Sequence, residues 1–126
     1  LAQPGTLKRL GVVGFCYGGA ISNRLAVALP ELLAAVPFYG SAPPLDNVGA
    51  INAELLIHYA ANDERVNASW PPYEVALKAA GVNYSAYVYP GTQHGFHNDT
   101  TPRYDPEAAA LAWRRTVEFF NRTLRG

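Results

Sequence analysis

Leu10-Gly11-Val12-Val13-Gly14-Phe15-Cys16-Tyr17-Gly18-Gly19 decides how the rest of the chain is read. Its first part is a short apolar run of buried-strand type. Its second part sets one cysteine between glycines and then opens into a helical pattern. A strand, a sharp turn and a helix start lift the side chain at the bend clear of the backbone. Here that side chain is a thiol. A cysteine beside an apolar run is ordinarily a small core residue, but a core residue needs no relief from crowding by Gly14 and Gly18. Cys16 is therefore the candidate nucleophile, and it needs a base and an acid that orients the base.

Outward from this bend, strand-like and helix-like segments alternate, as in a parallel α/β sheet. The first strand is expected over 9–14. A helix follows over 17–29, with Ile21, Leu25 and Leu29 on its packing face and Pro30 ending it. A second strand is expected over 33–39, then a break at Gly40-Ser41-Ala42-Pro43-Pro44 and loop to 53. The third strand covers 54–60, with Asn62-Asp63 as turn chemistry after it. Ser69 as cap, Pro71 in the first turn and Gly81 past the end define a helix over 69–80. A fourth strand covers 84–89, and Pro90-Gly91 starts a long loop through 102. Asp105, Pro106 and Glu107 open the last helix. Its apolar face is read as Leu111, Trp113, Val117, Phe120 and Leu124, with Glu118 and Arg122 paired on the wet side.

Composition narrows the function classes. The chain of 126 residues is 49% apolar, and its ten basic and ten acidic residues cancel. It suits a single domain over residues 1–126, without the basic footprint that nucleic acid or an anionic membrane surface attracts. No apolar run reaches bilayer length, and no basic-then-apolar signal segment opens the chain. One cysteine excludes an internal disulfide. A lone thiol fits a reducing compartment, so a cytoplasmic protein is expected. The triplets at Asn67, Asn83, Asn98 and Asn121 carry meaning only on a eukaryotic secretory route.

Reacting groups in open parallel sheets gather at the carboxyl ends of the strands. Cys16 follows the first strand, Asp63 the third and His94 the fourth. This nucleophile–acid–histidine order is that of an α/β-hydrolase triad. Asp63 alone would pass for a turn residue. His58 lies inside the third strand and reads as a packed, hydrogen-bonded core histidine. His97 is the rival of His94, which is favoured by the bracketing Gly91 and Gly95 and by Phe96 as an anchor. Tyr39, Tyr59 and Tyr89 read as sheet packing. The Tyr17 N–H follows the nucleophile and is expected to form half of an oxyanion hole. Only His94 and His97 lie close enough in sequence to suggest a metal pair, too little for zinc.

The segments Gly14-Phe15-Cys16-Tyr17-Gly18-Gly19, Asn62-Asp63 and Gln93-His94-Gly95-Phe96 resemble the dienelactone hydrolase (carboxymethylenebutenolidase) family of the α/β-hydrolase fold. The resemblance runs over nearly the whole chain and implies Cys16 as nucleophile, Asp63 as acid and His94 as base. It implies attack on an ester or lactone, an acyl-enzyme, and hydrolysis by water. It implies a small-molecule substrate, no metal or organic cofactor, and no nucleic-acid or membrane partner. In the family's type enzyme an arginine shortly after the catalytic histidine helps hold the substrate carboxylate; the position four residues after His94 is Asn98 here, and Arg103 lies further on, which leaves open a different ester or lactone.

Members of the family are about twice this length. The chain resembles their carboxyl-terminal half, with about four parallel strands and without the amino-terminal half of the sheet. The strand before Cys16 is then expected to show a bare edge, and bare edges seek partners. A second reading follows: a weakly active or inactive domain that self-assembles as a homodimer through that edge, or pairs with a separate chain. A third is a redox-sensing thiol, its pKa lowered by the helix N-terminus.

Overall fold

The structure is a computed structural model and describes residues 10–29, 31–98, 100 and 102–125. Four strands form one parallel sheet in the order β1-β2-β3-β4: β1 Leu10–Phe15, β2 Leu32–Phe38, β3 Glu54–Asn62 and β4 Tyr84–Gln93. The helices are α1 Tyr17–Ala28, α2 Glu64–Asn67, α3 Trp70–Ala80 and α4 Pro106–Phe120, and a 3₁₀ segment spans Leu45–Ala50. Every strand pair is parallel, so every connection crosses over a face of the sheet. The expected α/β architecture is the one present. Arg9 and Pro30, assigned above to a strand start and a helix stop, lie outside the described residues.

The strands β2 and β3 sit in the middle and read as near-continuous apolar runs, as strands covered on both faces must. One core layer packs Leu32, Leu55, Ile57, Tyr59, Tyr73 and Leu77. The other packs Val36, Phe38, Tyr39, Leu56, Phe96 and Phe119. Among the described residues β1 pairs only with β2, and all six of its residues are half-buried.

Four sequence expectations are corrected. Helix α1 packs through Gly19, Ser22, Asn23 and Ala26, and Ile21 is exposed. Small residues let the helix lie close against β2. Asn23 stays satisfied there, donating to the Ser41 carbonyl at 3.0 Å and accepting from the Tyr73 hydroxyl at 2.9 Å. Helix α4 buries Ala112, Thr116 and Phe119, leaving Trp113 52% and Val117 42% exposed. Arg122 forks onto Glu54 at 2.6 and 3.1 Å rather than pairing with Glu118. That bidentate geometry suits a guanidinium better than an i, i+4 contact does. The Asp105 cap is present, its carboxylate accepting from the Ala108 N–H at 3.0 Å. Strand β4 runs through Pro90 and Gly91 to Gln93, with a register shift between Ala60 and Asn62. Gly91 absorbs it at φ 72°.

His58 explains the rotation of α4. It is fully buried on β3. The Thr116 hydroxyl donates to the Ala112 carbonyl at 2.8 Å, so its oxygen accepts from His58 Nε2–H at 3.0 Å. His58 Nδ1 then accepts from the Tyr89 hydroxyl at 2.7 Å, which itself accepts from Arg115 at 3.2 Å. The chain of donors closes only with a neutral imidazole. Burial, helped by the Arg115 charge, lowers the His58 pKa to about 3. The unfolded chain takes up this proton near pH 6.5 and the folded one near 3, so stability falls as the pH drops through that window. The expected slope is about 1.4 kcal/mol per pH unit. Urea melts at stepped pH should show it, and His58→Gln should remove it.

Candidate active site

The turn after β1 is built by backbone constraint. Cys16 adopts φ 56° and ψ −117°, a strained conformation for a residue with a Cβ. Its N–H donates to the Phe38 carbonyl at 2.9 Å, and its own carbonyl accepts from the Gly19 and Ala20 N–H groups at 2.9 and 3.2 Å. A Cβ on Gly14 would run into the Gly18 carbonyl, and one on Gly19 into the Phe38 carbonyl. A Cβ on Gly18 would meet nothing. The glycines that this close packing demands are thus Gly14 and Gly19, not Gly14 and Gly18. Tyr17 is 79% exposed. Its N–H, at the first position of α1, has no intrahelical carbonyl to bond.

Strand register places the other two groups. Asn62 pairs with Gln93 across β3 and β4. Asp63 and His94 are the next residues on each strand and therefore meet. His94 Nδ1 lies 2.6 Å from Asp63 Oδ2. The carboxylate is nearly buried and accepts only, so Nδ1 carries the proton and Nε2 is left as acceptor. Helix α2 begins directly after Asp63, an element absent from the sequence reading. Cys16 and His94 line one cavity of about 300 Å³, together with Tyr17, Ala20, Tyr39, Ser41, Arg65 and Val66.

His97 is held elsewhere. Its ring stacks on Phe15 at 4.2 Å, and its backbone N–H and Nδ1 lie 3.1 and 3.0 Å from the Tyr39 hydroxyl. Burial, with the His94 charge second, lowers its pKa. It lines a separate cavity of about 240 Å³ with Phe15, Phe38, Tyr104, Ala109 and Trp113.

Sequence reasoning passed over Tyr39 and Arg65 as site residues. Arg103 emerges beside the site: its guanidinium comes within 3.9 Å of the Cβ position on Gly95, and its charge acts on Cys16. Tyr39, like Cys16, directly follows a phenylalanine that closes an apolar strand-like run, a signal available for Tyr39. Among the described residues no three His, Cys, Asp or Glu side chains converge as metal ligands, and no helix is long and apolar enough to cross a membrane.

The dienelactone hydrolase family model matches residues 2–124. The chain belongs to the dienelactone hydrolase family. It is 34% identical over 117 residues to the "Putative carboxymethylenebutenolidase" of Saccharolobus solfataricus, covering 92% of this chain and 45% of that protein. It is 39% identical over 123 residues to Protein usf of Aquifex pyrophilus, covering 93% and 52%. The crystal structure of the "Putative Dienelactone Hydrolase" from Klebsiella pneumoniae superposes with a TM-score of 0.84 at 32% identity, covering 92% and 53%. A dienelactone hydrolase-like phosphotriesterase from metagenomic libraries shares the fold, with a TM-score of 0.85 at 24% identity. The chain spans about half the length of the curated relatives it matches.

Burial pushes the Cys16 thiol up; the Arg103 charge pulls it down and the Asp63 charge pushes it up further. The upward balance runs against the lowered pKa expected from the helix N-terminus, and loss of hydration is its largest cause. Iodoacetamide labelling should therefore be slow at neutral pH and rise with a midpoint above that of an ordinary cysteine. Arg103→Ala should move the midpoint up and Asp63→Asn should move it down.

Proposed function

We propose that this chain carries the Cys16–His94–Asp63 machinery of an ester or lactone hydrolase. The observation that carries the reading is the 2.6 Å His94–Asp63 bond with Cys16 on the wall of the same cavity. Family membership and the name of the Saccharolobus relative support a carboxylic ester or lactone as the small-molecule substrate.

The chemistry follows from the protonation pattern. Asp63 holds His94 as the Nδ1–H tautomer, and Nε2 takes the Cys16 proton as sulfur attacks the carbonyl carbon. The raised thiol pKa makes this a base-assisted attack rather than one by a standing thiolate. The oxyanion accepts from the Tyr17 N–H. Collapse breaks the C–O bond, and His94 returns the proton to the departing alkoxide, leaving a thioester on Cys16. Water then attacks the thioester with His94 as base, releasing the acid and restoring the thiol. Wild type should hydrolyse p-nitrophenyl acetate, with Cys16→Ala and His94→Ala at least about 100-fold slower. Equal turnover by all three would sink the reading.

A second reading rests on the uncovered flank. Strand β1 has one partner among the described residues, and α4 exposes Val117 and, on the wall of the 240 Å³ cavity that Phe15 of β1 also lines, Trp113. Such an edge takes a further strand, from a second copy across a two-fold axis or from a separate chain. Light scattering at micromolar concentration should give more than the monomer mass; a stable monomer would exclude the homodimer.

A further inference from the structure

We propose that Tyr39 is the positioning residue of this site, clamping the His94 loop to the strands that carry Cys16 and Asp63. The inference rests on the hydrolase reading for its catalytic consequence, but its geometry stands apart from it.

Cys16 and Tyr39 are the non-glycine residues at positive φ among the described residues, at 56° and 54°. Strain of this kind persists only where the surroundings over-determine it. Tyr39 follows β2, the strand between the one that leads to Cys16 and the one that leads to Asp63. The preceding carbonyl, that of Phe38, accepts from the Cys16 N–H at 2.9 Å, and the Tyr39 N–H donates to the His58 carbonyl on β3 at 3.0 Å. The backbone at this point is stitched to both neighbours.

The left-handed turn sends the side chain into the fold, where the ring is buried. It meets Phe96 edge-on at 5.0 Å and His94 at 5.2 Å between ring centroids. Its hydroxyl reaches the far end of the same loop. The His97 N–H donates to the oxygen at 3.1 Å, and His97 Nδ1 lies 3.0 Å from the same oxygen, placed to accept the hydroxyl proton in the Nε2–H tautomer. Both ends of His94-Gly95-Phe96-His97 are thus held by one side chain.

The hydroxyl has a single proton, and in the Nε2–H tautomer of His97 that proton goes to Nδ1. With that tautomer Tyr39 has none to offer an oxyanion or a leaving group, although the residue lines the Cys16 cavity. Its action on chemistry passes through His94. Burial raises the Tyr39 pKa, so the donor stays protonated over the working range.

Tyr39→Phe keeps the ring and removes the hydroxyl. The expected result is kcat on p-nitrophenyl acetate about tenfold lower with KM within twofold, because the hydroxyl's two hydrogen bonds to His97 hold the His94 loop and neither touches substrate. The second readout needs no turnover: ¹⁵N NMR of the histidine rings. Wild-type His94 should appear as the Nδ1–H tautomer, and in Tyr39→Phe its two tautomers should average. His97→Ala, which removes the acceptor from the other side, should shift His94 the same way and serves if Tyr39→Phe does not fold. A mixed His94 tautomer already in wild type, or an unchanged one in the variants, overturns the proposal. A lowered melting temperature with the tautomer intact also overturns it, since Tyr39 would then be packing alone. If wild type hydrolyses no ester, the hydrolase reading fails while the ring signals still decide the clamp.

Discussion

The close approach of the β1–α1 turn to the end of β2 is the constraint on which the carboxyl end of the sheet depends. The Cys16 N–H reaches the Phe38 carbonyl, and Gly19 lies so near Gly40 that neither has room for a Cβ. That contact selects small residues on the sheet face of α1, where Gly19, Ser22 and Ala26 are buried. It also fixes the backbone at Cys16 in a conformation that an isolated turn would abandon. The sulfur is exposed to the cavity because the backbone beneath it cannot relax.

The placement of Asp63 and His94 follows from simpler physics. Two parallel strands in register deliver their next residues to the same place, and the pairing of Asn62 with Gln93 is that register. Extra backbone is taken up near Ala60 and by Gly91 at positive φ. Without this irregularity the two strand ends would stay out of step, and acid and imidazole would face different neighbours.

Much of this was legible in the residues. Apolar runs bounded by Gly, Pro and Asn-Asp marked the strands, and Asp105-Pro106-Glu107 marked the last helix. Helix faces were less legible, because periodicity counts apolar residues and the structure counts fit. In α1 the close approach to β2 outranked Ile21. In α4 a buried histidine required a hydroxyl, so Thr116 turned inward and Val117 outward. Strand β4 outran its expected end because Pro90 sits on an edge strand, where a missing N–H costs no ladder bond. The work of Tyr39 was hidden because its partners, at His97 and His58, are far away in sequence.

The outward turn of α4 also gives the molecule a built-in optical probe. The chain holds two tryptophans. Trp70 packs among Tyr59, Tyr73 and Tyr84 on the opposite layer of the sheet, whereas Trp113 stands half in water at the rim of the cavity beside β1. One indole therefore reads the interior and the other reads the flank. Any polypeptide that covers this flank dehydrates Trp113 and shifts its emission to the blue while leaving Trp70 as an internal standard, so occupancy of the surface is visible without a label.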